Sequence, residues 1–125
     1  MTKKTISIFG STGSVGTTTL NILRENKEIF DIKILTGYKN INDLASLANE
    51  FNPEAICFAN ESDLEQVKNK INYNKVEYYI GDDGLLECAK VGVDIVIAGI
   101  VGLAGLPPLL ESIKSSKKVC IANKE

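Results

Sequence analysis

The sequence predicts an α/β fold, a doubly wound parallel sheet with helices on both faces, on three observations. Short β-branched runs alternate with longer segments of helical period along the whole chain. A glycine-rich turn joins the first of these strands to the first helix, and no linker, repeat or low-complexity tract breaks the alternation. Strands separated by single helices imply β-α-β units with right-handed crossovers, which cover both faces of a parallel sheet. Ligands of such a sheet bind outside the carboxyl ends of its strands.

Taken in order, Thr5–Phe9 reads as a buried strand and Ser14–Glu25 as a helix with Val15, Thr19, Leu20 and Leu23 near one face. Phe30–Thr36 is a second strand that alternates only partly, through Ile32, Ile34 and Leu35. Asn42–Phe51 places Leu44, Leu47, Ala48 and Phe51 at i, i+3, i+4 and i+7, with Asn42 as the expected N-cap and Pro53 closing the turn beyond. Ala55–Phe58, Val76–Ile80, Asp94–Ala98 and Lys118–Ala122 read as further strands. Asp63–Ile71, Asp83–Ala89 and Pro107–Ser115 read as the helices between them, the last with proline in its first turn.

Composition bounds the function. The 125 residues, 44% hydrophobic and 24% charged, make one domain and exclude a disordered chain. A net charge of −2 offers no basic face, so no nucleic-acid partner is expected. The longest apolar stretch, Ile95 to Leu110, is broken by Gly99, Gly102, Gly105 and Pro107–Pro108 and falls short of the roughly 20 residues of a span, so no membrane anchor is expected. The opening Met1-Thr2-Lys3-Lys4 runs straight into a strand with no signal-like apolar region. Cys57, Cys88 and Cys120 are scattered, which reads as reduced thiols in a cytoplasmic compartment, with Cys57 and Cys120 expected in the core. The chain has no histidine, which removes histidine bases and most transition-metal sites, and no acid pair has the context of a metal site.

The chemistry-bearing motif is Gly10-Ser11-Thr12-Gly13-Ser14-Val15-Gly16, which ends the first strand and opens the first helix. The first glycine suits a tight turn, the second lets backbone N–H groups approach a pyrophosphate, and the third permits close helix–strand packing. The helix start adds the positive end of its dipole, and Ser11, Thr12 and Ser14 add hydroxyl donors. A P-loop is excluded, because its spacing is absent and no lysine follows Gly16. This is the arrangement of a Rossmann-like dinucleotide site. Such sites select NAD with an acid at the end of the second strand. Here that strand ends Leu35-Thr36-Gly37-Tyr38-Lys39-Asn40, with no acid and a cation just beyond, which favours NADPH. A second cluster, Gly99-Ile100-Val101-Gly102-Leu103-Ala104-Gly105, follows a strand expected to border the same crevice, where Ile100 and Val101 would wall a nicotinamide ring. Asn123-Lys124-Glu125 follows the last strand, a position suited to substrate chemistry.

The glycine loop, Leu35–Asn40, Ile100–Leu106 and Ala122–Glu125, in this order, closely resemble the N-terminal NADPH-binding domain of the 1-deoxy-D-xylulose 5-phosphate reductoisomerase family over essentially the whole chain. Val15, commonly isoleucine there, and Tyr38, often glycine, depart mildly from the family pattern. The resemblance implies an NADPH-dependent enzyme that rearranges deoxyxylulose phosphate with the help of a divalent metal (Mg, Mn or Co). It then reduces the product to 2-C-methyl-D-erythritol 4-phosphate for non-mevalonate isoprenoid biosynthesis. It implies that Thr12, Gly13, Ser14 and Val15 hold the pyrophosphate region, and that Gly37, Lys39 and Asn40 hold the 2′-phosphate end. Asn123 and Glu125 would lie on the nicotinamide side and Lys124 at the substrate. Family members are longer, homodimeric and carry their metal ligands downstream. Residues 1–125 are therefore expected to be the cofactor domain alone, binding NADPH weakly without turnover, in a bacterial cytoplasm. A short-chain dehydrogenase is excluded because no tyrosine has lysine four residues on. The alternative is a nucleotide- or CoA-sensing regulatory module without catalysis.

Overall fold

The computed structural model of the chain describes residues 3–38, 40–99 and 106–121. Six strands, β1 (Lys4–Phe9), β2 (Phe30–Thr36), β3 (Ala55–Phe58), β4 (Glu77–Ile80), β5 (Ile95–Ala98) and β6 (Lys118–Ile121), form one sheet in the order β4-β3-β2-β1-β5-β6. Every pairing is parallel. Helices α1 (Ser14–Arg24), α2 (Ile41–Phe51), α3 (Leu64–Lys70), α4 (Gly81–Lys90) and α5 (Leu106–Ser115) connect them, with a 3-10 turn at Glu61–Asp63 before α3. The chain walks from β1 outward to β4, then returns past β1 to β5. Successive strands on either side of β1 therefore diverge, and the crevice between the ends of β1 and β5 is the switch point where such sheets bind ligands.

The same reversal explains the two cores. Right-handed crossovers put α1, α2 and α3 on one face and send the return through α4 to the other. Ile6, Ile8, Leu35, Ile56 and Phe58 pack with Leu20, Leu23, Leu44, Ala48 and Val67 on the first face. Phe9, Ile34, Ala55, Cys57 and Val96 pack with Cys88 and Ala89 on the second. The strand period of two divides neighbouring residues between these cores, except in β2, whose register against β1 shifts between Ile6 and Ser7. The extra β2 residue lets Ile32 face one core and Ile34 the other, which is why the alternation in that strand is broken.

Three expectations are corrected. Asn40, not Asn42, caps α2: its Oδ1 accepts the Asp43 N–H at 3.3 Å, and Asn42 lies inside the helix. Cys120 is exposed, because β6 is an edge strand, whereas Cys57 and Cys88 are buried. The third helix runs one residue shorter at each end than expected, Asp63 belonging to the 3-10 turn that precedes it.

At the opposite end of the sheet from the switch crevice, Asp94 ties three strands together. Its carboxylate accepts from the Thr5 N–H at 2.9 Å and the Thr5 hydroxyl at 3.2 Å, and pairs with Lys117 Nζ at 3.1 Å. The Thr5 N–H first, then the Lys117 ammonium, hold this carboxyl down to about 2, below its ordinary 3.8. A depressed folded-state value contributes stability that is present above the ordinary value and is lost as pH falls through the folded one. Urea midpoints of the parent chain and Asp94→Asn should therefore differ at neutral pH and converge between about pH 4 and pH 2. A gap that is constant across that window contradicts the assignment.

Candidate functional site

A groove of about 550 Å³ crosses the carboxyl ends of β1 to β5. Gly10, Thr12 and Gly13 of the β1–α1 turn and Gly99 after β5 line its middle; Thr36, Gly37 and Tyr38 line the end of β2. Phe58, Ala59 and Asn60, then Gly81, Asp82 and Leu85, carry it outward past β3 and β4.

The turn is built by hydrogen bonds to one buried residue. Thr36 Oγ1 accepts the Gly10 N–H at 2.9 Å, and Thr36 O accepts both the Ser11 N–H at 2.7 Å and the Ser11 hydroxyl at 2.8 Å. Thr36 and Ser11 are buried, so water competes little for these bonds. Gly10 turns the chain with φ 82°, a conformation that strongly favours glycine. Gly16 then lies so close to the turn that a Cβ there would stand 2.4 Å from Gly10 O and 2.6 Å from Ser11 Cα. The first turn of α1 is thereby pressed against the strand end.

That helix start is left bare. Gly13 stands at the N-cap with no side-chain capping bond, and the first turn contains no acid. Thr17 N–H donates to Gly13 O, so the Ser14, Val15 and Gly16 N–H groups are those a helix leaves without internal acceptors. By contrast, α2 is capped by Asn40 with Asp43 in its first turn, α3 has Glu65 and α4 has Asp82 and Asp83. An uncapped, acid-free N-terminus at a switch point fits an anionic ligand group. On the opposite wall Gly99 N–H donates to Phe9 O at 2.9 Å, and a Cβ at Gly99 would come within 3.1 Å of that oxygen, so glycine keeps the crevice open.

Five of the expected residues, Thr12, Gly13, Ser14, Val15 and Gly37, lie around the turn. Thr12 is half-buried in the groove with its methyl beside Gly37, and Gly13 and Ser14 are exposed at the helix start. Val15 is half-buried beside Gly99. Gly37 is buried, and a Cβ there would lie 3.3 Å from Leu44 Cβ and 3.4 Å from Thr12 Cγ2. The Asn40 amide is engaged locally, its Nδ2 donating to Asp43 Oδ2 at 2.7 Å. Ser11 is corrected: its hydroxyl is spent on Thr36 and is no ligand donor. Lys39, Ile100, Val101, Asn123, Lys124 and Glu125 lie outside the described residues. Among the described residues no group of three or more His, Cys, Asp or Glu is placed to hold a metal ion. Sequence reasoning missed Thr36 as the anchor of the turn, although a threonine at the end of β2 facing a serine after the first glycine was its signal. It also missed the outer wall, Asn60 and Asp82, because that wall depends on strand order.

Fold and groove together define a nucleotide-binding α/β domain of the dinucleotide type. A family model described as 1-deoxy-D-xylulose 5-phosphate reductoisomerase matches residues 6–125, and the chain belongs to that family. It is 38% identical over 123 residues to a 1-deoxy-D-xylulose 5-phosphate reductoisomerase of Lachnospira eligens and 39% identical over 124 residues to one of Phocaeicola vulgatus. In each case it spans 98% of this chain and only 32% of the relative. Among solved structures, the Zymomonas mobilis reductoisomerase in complex with NADPH superposes with a TM-score of 0.92 at 34% identity, covering 98% of this chain and 32% of that one. A DOX-P reductoisomerase in complex with NADPH, fosmidomycin and magnesium superposes with a TM-score of 0.86 at 35% identity, covering 96% of this chain and 30% of that one.

The turn's dependence on Thr36 is testable without ligand. Thr36→Val strips the acceptor from a Gly10 N–H at a buried position and should cost about 1–3 kcal/mol in urea unfolding, while Thr36→Ser should recover most of it. A Thr36→Val chain as stable as the parent contradicts the anchoring role.

Proposed function

We propose that this chain is the NADPH-binding part of a reductoisomerase that rearranges deoxyxylulose phosphate and reduces it to 2-C-methyl-D-erythritol 4-phosphate. The observation that carries the reading is the bare N-terminus of α1, held at the switch point by the Thr36 bonds, in a chain of this family. The NADPH named for the Zymomonas relative fits that geometry.

In this reading the Ser14, Val15 and Gly16 N–H groups take the pyrophosphate oxygens, and the Thr12 and Ser14 hydroxyls add donors. Gly13 carries no side chain to hold the phosphates off the helix. Gly37 keeps the wall thin where the adenosine ribose crosses the end of β2. The Lys39 ammonium takes the 2′-phosphate, and the Asn40 amide joins it by giving up Asp43. When bound, NADPH supplies the hydride. Asn123 and Glu125 serve the nicotinamide side and Lys124 the substrate. The magnesium named for the relatives finds no ligand set among the described residues. The full-length protein is proposed as a homodimer, and its place as a reducing cytoplasm, which the three free cysteines support.

Calorimetric titration tests this. The parent chain should bind NADPH more tightly than NADH, and Lys39→Ala should remove that preference. One charge-assisted hydrogen bond is worth about 1.5–3 kcal/mol, or roughly 10- to 150-fold. Equal affinity for the two cofactors, or an NADPH preference that survives Lys39→Ala, contradicts the assignment. Absence of binding contradicts the function.

A further inference from the structure

We propose that Cys57 and Cys88 form a dithiol site, apart from the cofactor chemistry, that hydrogen peroxide entering through the groove oxidises to a disulfide, with Cys57 attacking and Cys88 resolving. Both are free thiols packed in the second core, Cys57 on β3 and Cys88 on α4. The fold brings them together by seating α4 tightly on the sheet. Strand β4 passes into α4 at Gly81, whose φ of 73° suits glycine, and the helix lays Gly81, Gly84 and Cys88 along one face at i, i+3 and i+7. A Cβ at Gly84 would stand 3.0 Å from the Tyr79 carbonyl carbon, so the helix backbone lies against β4 with no side chain between. Tyr79 is the register partner of Cys57 on the neighbouring strand. Cys57 Sγ accordingly donates to Gly81 O at 3.9 Å. The Cys88 thiol donates in turn to Cys57, and this bond first, then burial, pushes Cys88 well above the ordinary thiol range.

Access divides the roles. Cys57 lines the groove, as do Gly81 and Leu85 of the helix that covers it, so the groove reaches the seam between β3 and α4. Cys88 lies further along α4, buried and holding its proton. A peroxide therefore meets Cys57 first. The Cys57 thiolate attacks one peroxide oxygen and the O–O bond breaks. The sulfur becomes a sulfenic acid, and the leaving hydroxide takes up the proton that the thiol lost, giving water. The Cys88 sulfur then attacks Cys57 Sγ, the S–S bond forms as the S–O bond breaks, and the hydroxyl leaves with the Cys88 proton as a second water. The two thiols together give up two electrons, and one peroxide is reduced to two waters. Cys120, exposed on the edge strand β6, stands outside this pair.

Peptide mapping by mass spectrometry after peroxide treatment tests this, in a Cys120→Ser background that removes links between chains through that residue. The folded protein should yield the tryptic peptides Asn40–Lys68 and Val76–Lys90 joined by one disulfide, and a dithiol reductant should separate them. Cys88→Ser should stop at a Cys57 sulfenic acid, trapped by dimedone, and consume peroxide within about twofold of the parent rate. Cys57→Ser should leave Cys88 a thiol. Before any oxidation, phenylarsine oxide, which condenses with two adjacent thiols, should be retained by the pair in the parent and by neither serine variant. Both thiols staying reduced under peroxide, or a link that forms only in urea, overturns the site. Cys88 oxidised in Cys57→Ser overturns the division of roles. An arsenical that the folded pair fails to retain overturns the adjacency on which the proposal stands.

Discussion

The geometry of the site depends on the contact between the end of β2 and the turn that follows β1. Three hydrogen bonds converge on Thr36, from the Gly10 N–H, the Ser11 N–H and the Ser11 hydroxyl. Each is modest alone, but Thr36 and Ser11 are both buried, where an unmade bond costs about 1–3 kcal/mol. They set where the chain turns and hence where α1 begins. Gly16 completes the constraint sterically, since no side chain fits between the helix and Gly10 O. Without that anchor the glycines would make a loose loop. With it they make a held turn from which α1 starts.

The second constraint is electrostatic and shows in what the sequence withholds. Helices α2, α3 and α4 satisfy their positive ends with their own acids, and α2 also with an asparagine cap. Helix α1 has neither, and its first turn consists of small or apolar residues. An uncapped start typically costs on the order of 1 kcal/mol of helix stability. That cost is recovered when an external anion takes the place of the missing cap.

Much of this was legible in the sequence. Element order followed from the way short β-branched runs alternate with longer segments of helical period. The glycine turn was legible because Gly10 and Gly16 stand where φ and close packing demand glycine. The misses share a physical origin in pairing. The shifted register of β2 arises only against β1, so Ile32, Ile34 and Leu35 look irregular in isolation. Cys120 reads as core until strand order places β6 at an edge. Asn40 and Asn42 precede the same apolar run, and only geometry separates the cap from its neighbour. Ser11 looked like a ligand donor because its partner, Thr36, lies on another strand.

The most direct test of the central claim is an amide-resolved NMR titration of the chain with NADPH. The backbone N–H resonances of Ser14, Val15 and Gly16 should move most and gain protection from solvent exchange, while Gly10 and Ser11, already bonded to Thr36, should stay protected throughout. Perturbations confined to other strand ends, with those three amides unmoved at saturation, would contradict the account.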